Sequence, residues 1–379
     1  MVSRRILTLV ACAALLAALA GCARKGGNAA SQTPAPAQPF KIGIMTGTAS
    51  LAGADFRAGE QVERRYPGRV MHVTYPDDFA SELETVIAQL AGLAADPRVR
   101  VIVVGQAIPG SAAAARKIRE TRPDVRVGFI APHEDPDTVG AACDIALRPD
   151  ETARAAAVVD MAERMGARNL VHYSFSRHMA GQIMPERRNS MAGECEKRGI
   201  AFHFATAPDP AGAGGLAAAQ EFILDDVPRQ LATLGPATAF FGTSDSLEEA
   251  MIGAILKAHA GYFVEQDAPA PTLGYPAALG LKIPPDKVDD QAWLHEECRR
   301  LIAERGMGGH FGAWAQPLDM VAIRALTHLL LDAADEKADF RDSVTVERYL
   351  NAEAGGPVQI RRSDRHGNQW LVLLDHVTY

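Results

Sequence analysis

The chain has 379 residues, 39 of them Lys or Arg against 46 Asp or Glu, for a formal net charge of −7, and 47% are hydrophobic. That length and apolar content suffice for one large or two medium domains with real cores. The acidic balance, with no basic run, excludes the electrostatic footprint that nucleic-acid binding needs.

In chain order, Arg4 and Arg5 form a positive start and residues 6–20 an apolar run too short to span a bilayer. Leu19-Ala20-Gly21-Cys22 follows directly and resembles the lipobox of bacterial lipoproteins. The resemblance implies that residues 1–21 are a signal peptide. Cys22 would then carry the lipid that anchors the protein to a membrane outside the cytoplasm, in the periplasm or at the cell surface. Residues 22–39, rich in Ala, Gly, Ser, Pro and Gln, read as a disordered tether. By similarity to Gram-negative sorting rules, Ala23 after the cysteine leans toward the outer membrane and leaves the inner one open. Cys143, Cys195 and Cys298 complete the later cysteines, an odd number without close spacing. At most one disulfide can form among them, no thiolate metal site is suggested, and each reads as a small buried hydrophobe.

From residue 41 onward, short apolar runs alternate with helical patterns. Strands are expected at 41–45, 70–75, 99–104, 125–131, 170–173, 201–205, 237–241 and 272–274. Most are nearly continuous apolar runs, as in parallel strands covered on both faces. Between them, sets such as Phe79, Leu83, Val86, Ile87, Leu90 and Ala94 repeat at helical spacing, and so do Leu247, Met251, Ala254, Ile255 and Ala258. The rhythm breaks at 143–150, where a short strand at 144–147 leads through Arg148-Pro149-Asp150 into a helix over 151–165 ended by Gly166. This reads as a crossover between two similar halves. Later come a strand at 308–314, a helix at 317–334, and a strand at 369–374 expected to add to an edge of one lobe. The fold class is α/β, two Rossmann-like lobes with parallel sheets around a cleft.

The second half carries a resemblance to type I periplasmic binding proteins. Ala155-Ala156-Ala157-Val158-Val159-Asp160-Met161, Gly166 and Leu170-Val171-His172-Tyr173 are similar to the first helix and strand of that family's C-terminal lobe. Ser190-Met191-Ala192-Gly193 through Arg198-Gly199-Ile200 resembles the next helix and strand. Phe240-Phe241-Gly242-Thr243-Ser244-Asp245 resembles the strand and loop bearing a ligand-binding Asp, and Leu273-Gly274-Tyr275 the returning hinge strand. The resemblance implies an N-terminal lobe of 40–149 with 276–342 and a C-terminal lobe of 150–275 with 343–379. It also implies a monomer that closes on a small polar ligand and delivers it to an ABC permease. Ser244-Asp245 departs from the usual Asn-Asp, and the loop Thr46-Gly47-Thr48-Ala49-Ser50 lacks stacking aromatics, so sugar specificity is not carried over.

Ligands in such folds sit beyond the carboxyl ends of the strands. Those ends place Thr46, Thr48, Gln106, His133 and Glu134 in the first lobe. In the second they place Ser174, Ser176, Arg177, Asp209, Thr243, Ser244 and Asp245, with Tyr275 at the hinge and Trp314 after the late strand. Thr243 and Ser244 serve equally as helix caps or ligand contacts. Asp245 matches the family's carboxylate, against a first-turn acid favoured by the helix dipole. Arg177 could hold an anion or solvate a helix start, and Trp314 could stack on a ligand or fill a core. His133-Glu134-Asp135 with Asp137 reads as a solvated acidic loop rather than a metal site. No nucleophile elbow, dinucleotide fingerprint, phosphate loop or His-Glu-x-x-His is present, so no cofactor and no enzymatic activity are expected. The expected function is solute capture for an ABC importer; the alternatives are a sensory receptor domain and a lipoprotein enzyme with an unrecognised site.

Overall fold

A computed structural model of the chain describes residues 39–49, 53–181, 183–268, 270–271 and 273–379. The expected signal peptide, the tether as far as residue 38 and Cys22 lie outside them. Residues 40–379 form one compact unit. Its strands are β1 Lys41–Thr46, β2 Val70–Thr74, β3 Val99–Val104, β4 Arg126–Ile130, β5 Ile145–Pro149, β6 Asn169–Ser174 and β7 Ala201–Thr206. They continue with β8 Thr238–Gly242, β9 Tyr262–Phe263, β10 Gly312–Trp314, β11 Gln359–Arg362, β12 Gln369–Leu373 and β13 His376–Thr378.

Among the described residues these build a first sheet in the order β11-β12-β5-β4-β3-β1-β2 and a second in the order β7-β6-β8-β9. Every neighbouring pair is parallel except β11 with β12. Side-chain alternation sends Ile42, Ile44, Val101 and Val103 to one face of the first sheet, under helices Gly53–Arg65, Leu318–Ala334 and Ser343–Ala354. Met45, Ile102, Val104 and Phe129 face the other side, under Leu83–Leu93 and Ser111–Thr121. Helix Leu318–Ala334 comes so close that a Cβ at Gly128 would stand 2.6 Å from Leu326 Cδ2. The second sheet is layered in the same way. Val171, Tyr173 and Phe240 pack under Gly215–Leu234, Glu248–Ala258 and Gln291–Glu304, and Leu170 and Phe241 under Glu151–Arg164 and Ile183–Arg198.

The chain leaves the first sheet at Asp150. This residue caps helix Glu151–Arg164 by accepting from the Ala153 N–H at 3.0 Å, and it accepts from Arg361 of β11 at 3.0 Å. The first sheet recruits late residues, as a two-lobed chain requires, but the exchange points differ from the expected ones. Helix Gln291–Glu304, assigned to the first lobe, buries Leu294, Cys298 and Ile302 in the second. Residues 343–373, assigned to the second, pack on the first. The reason is the open side of β5: β12 adds there in parallel, as expected of a strand extending a sheet edge, and buries Trp370, but the sheet it extends is the first, and β11 covers it in turn. No strand forms at 273–274. Gly274, with φ of 72°, instead opens the short helix Tyr275–Leu279, and the two-residue β9 takes the place beside β8. The antiparallel ribbon β10–β13 runs outside both sheets. Cys143, Cys195 and Cys298 are buried and unpaired, so no disulfide links them.

A cleft with two buried carboxyls

A cleft of about 390 Å³ opens where the first turns of helices Gly53–Arg65 and Leu318–Ala334 meet Gln106 after β3, Asp245 after β8, and the connection that follows β9. Ala268, Ala270, Leu273, Ile283 and Val288 supply its apolar wall, and Arg57 lies across it 3.3 Å from Asp289. Asp55 is 0% exposed, and its carboxyl is hydrogen-bonded to that of Asp319. Burial pushes its carboxyl well above the ordinary range, and the neighbouring Asp319 pushes it further. Burial also raises Asp319 itself. Two adjacent carboxyls out of water resist ionising together, so the pair keeps a proton that solvated carboxyls would lose.

Local backbone geometry sets this arrangement. A Cβ at Gly105 would lie 2.7 Å from Asp55 Oδ2, so the close approach needs glycine there. Gln106 adopts a left-handed φ of 43°, uncommon for a residue with a side chain, and its Nε2 donates to Asp319 Oδ2 at 3.4 Å. Tyr75 is buried nearby; its hydroxyl is pushed up by burial and by the charges of Asp55 and Asp319.

Of the residues expected at strand ends, Gln106 and Asp245 line this cleft. The others have different work. Thr46 is buried, donates to the Gly47 carbonyl and meets His72 Nε2, both at 2.8 Å. Thr48 donates to Asp77 at 2.6 Å. Glu134 accepts from the Ala112 N–H at 2.8 Å and so caps helix Ser111–Thr121, while the ring of His133 stands edge-on to Phe79. Ser174 and Thr243 are buried against each other at 2.8 Å, and Ser244 accepts from the Ser246 N–H at 3.3 Å as a cap. Ser176 is exposed on the short helix Ser176–Met179. Arg177 donates twice to Asp209, at 2.9 Å each, in an exposed ion pair. Two expected contacts need correction. Tyr275 is 0% exposed in the second core and donates its hydroxyl to the Gly312 carbonyl at 2.6 Å. Trp314 is buried, donates its indole N–H to the Gln266 carbonyl at 3.1 Å, and stacks with His376 and Arg154.

Arg154 belongs to a second polar cluster, in which every charge is partnered. It donates to Glu265 at 2.6 Å and to the Gln266 carbonyl at 2.7 Å. Arg187 spans Glu151 at 3.0 Å and Asp267 at 2.5 Å. Among the described residues no three or more His, Cys, Asp or Glu side chains are placed to hold a metal ion, and no helix is long and apolar enough to cross a membrane.

Residues 40–312 match the family model described as a protein of unknown function, DUF3798. An uncharacterized protein of Treponema pallidum (strain Nichols) is 36% identical over 182 residues, which span 46% of this chain and 82% of the relative. A crystal structure from Clostridium difficile 630, provisionally named a transcriptional regulator, is similar with a TM-score of 0.83 at 20% identity, covering 90% of this chain and 99% of that one. The substrate-binding protein of a sugar ABC transport system from Bordetella parapertussis 12822 is similar with a TM-score of 0.51 at 12% identity, covering 90% and 89%. The α/β architecture with parallel sheets is that of the type I periplasmic binding proteins.

Proposed function

We propose a function for a chain that belongs to the DUF3798 family: it is an extracytoplasmic solute-binding lipoprotein that captures a small polar molecule in the cleft and delivers it to an ABC importer. The observation that carries this reading is the cleft itself. One space of ligand size takes polar side chains from a loop after β3 of the first sheet and a loop after β8 of the second. A ligand touching both would favour a closed arrangement over an open one, which is how a binding protein reports occupancy to a partner. The lipobox supports the location, and the substrate-binding protein from Bordetella parapertussis 12822 supports the kind of partner. The sequence holds no nucleophile elbow, dinucleotide fingerprint, phosphate loop or His-Glu-x-x-His that would carry turnover.

The test uses protein recovered from the extracytoplasmic fraction, denatured to release any bound compound, which is identified by mass spectrometry and rebound by calorimetry. Asp245→Ala should weaken that binding by about 5- to 150-fold, equivalent to about 1–3 kcal/mol for buried ligand donors left unpaired. Unchanged affinity with a lowered melting temperature would reduce Asp245 to a helix-terminal charge. Conversion of the bound compound into a product would replace capture by enzymology.

A further inference from the structure

We propose that residues 281–290 form a strap that gates the cleft, with Asp289 as its latch. Its role rests on the reading that the cleft takes a small molecule, for which the strap sets the route of entry. The strap starts where Gly280, with φ of 69°, ends helix Tyr275–Leu279. It finishes where Asp290 caps helix Gln291–Glu304 by accepting from the Trp293 N–H at 2.9 Å. Both helices are fixed in the second core, one through Tyr275 and Leu279, the other through Leu294, Cys298 and Ile302. The ends of the strap therefore belong to the second lobe, whereas its far part reaches the first. Asp289 meets Arg57 at 3.3 Å and accepts from Arg64 at 3.0 Å, both on helix Gly53–Arg65.

Two separate spaces lie on either side. Ile283 and Val288 line the cleft, while Asp286 and Asp289 line a second hollow, of about 480 Å³, that is open to solvent. The chain neighbours Gln316 and Pro317 divide in the same way, Pro317 toward the cleft and Gln316 toward the hollow. A single layer of chain thus parts the two spaces. The Arg57–Asp289 pair bridges that layer, since Arg57 lines the cleft and Asp289 the hollow.

The layer is lightly held. None of residues 281–290 is buried; all are half-buried or exposed. The Lys287 N–H donates to the Pro284 carbonyl at 2.9 Å and the Asp290 N–H to the Lys287 carbonyl at 3.0 Å, both within the strap, and the Leu281 N–H turns back to Pro276 at 2.7 Å. Among the described residues, the hydrogen bonds and ion pairs that run from the strap to the first lobe are those of Asp289. A segment held in this way opens locally while both cores stay folded. Release of Asp289 lets the strap swing on its two ends and joins the cleft to the hollow without parting the sheets.

The experiment pulses the full-length protein with N-ethylmaleimide and reads modification peptide by peptide with mass spectrometry. Ala270→Cys reports entry to the cleft. Ser190→Cys reports parting of the lobes, because Ser190 lines a crevice where Arg187 of the second lobe faces Arg148 and Arg361 of the first. In these backgrounds Asp289→Asn should speed labelling at position 270 about 2- to 30-fold, the factor that two partly exposed ion pairs can supply, and leave position 190 unchanged. Asp286→Asn, on the same strap but outside the latch, should change neither. High salt screens the latch and should bring the parent's rate at position 270 toward that of Asp289→Asn. Equal acceleration at both positions overturns the gate in favour of whole-lobe motion, and an unchanged rate at position 270 overturns it outright. Neither result touches the capture reading, which is decided by whether a compound co-purifies.

Discussion

Removing Arg154 should unfold the chain more readily than any change in the cleft, and the size of the effect follows from its partners. Arg154 is 2% exposed, holds Glu265 at 2.6 Å and the Gln266 carbonyl at 2.7 Å, and lies over the rings of Trp314 and Phe241. Arg154→Met keeps most of the side-chain volume, so the cost comes from stranding Glu265, whose side chain is buried and retains only His376, at 2.5 Å. Breaking a buried ion pair by deleting one partner costs about 3–5 kcal/mol. Urea unfolding of Arg154→Met, Glu265→Gln and the double variant measures it. The double variant should lose much less than the sum, because the stranded charge is gone. A loss below about 1 kcal/mol in Arg154→Met, or strict additivity, would refute the argument. The pH dependence has a definite sign. Burial alone would push the Glu265 carboxyl up, but Arg154 and His376 outweigh it and hold it below the ordinary range. Its contribution is therefore present above the carboxylate's unfolded pKa and is lost as pH falls through the lower folded value. In Arg154→Met burial gains the upper hand and the sign reverses: protonation relieves the stranded Glu265 charge, so the stability lost by the variant should shrink as pH falls.

Tyr275→Phe should cost about 1–3 kcal/mol by stranding the Gly312 carbonyl and leave ligand affinity unchanged; a tenfold loss of affinity would return Tyr275 to the cleft. Burial pushes the thiols of Cys143, Cys195 and Cys298 up to about 12, so Ellman's reagent should react with none of them in the folded protein and with all of them in urea. Rapid labelling of the native state at neutral pH would contradict their burial. Cys22→Ala should abolish incorporation of labelled palmitate, and label still entering that variant would remove the lipid anchor.

The first eight strands were legible because parallel strands covered on both faces need unbroken apolar runs, as in Val101-Ile102-Val103-Val104. The two residues of β9 carry no such run, and Leu273-Gly274-Tyr275 reads as a strand until the positive φ of Gly274 is seen to start a helical turn. Which lobe a late helix joins depends on tertiary pairing that periodicity does not encode, and helix Gln291–Glu304 packs in the second core although its place in the chain points to the first. In the cleft, strand ends pointed to Gln106 and Asp245 and missed Asp55 and Asp319. Both sit in the first turn of a helix, where an acid ordinarily complements the dipole. For Asp319 a signal existed: it interrupts Pro317-Leu318-Asp319-Met320-Val321-Ala322, otherwise wholly apolar. For Asp55 none did, since its burial is decided by the close approach of Gly105.

The late return of β12 to β5 also bears on the order in which the protein folds. Every strand of the second sheet lies between residues 169 and 263, and its covering helices end by residue 304. The first sheet must wait for helix Leu318–Ala334 and for β12, which closes a loop of some two hundred residues onto β5. Closing so long a loop is slow because its entropy is lost before any pairing compensates for it. The part of the chain made second is thus placed to consolidate first, and pulse-labelling hydrogen exchange during refolding should protect amides of β6 and β8 before those of β4 and β5.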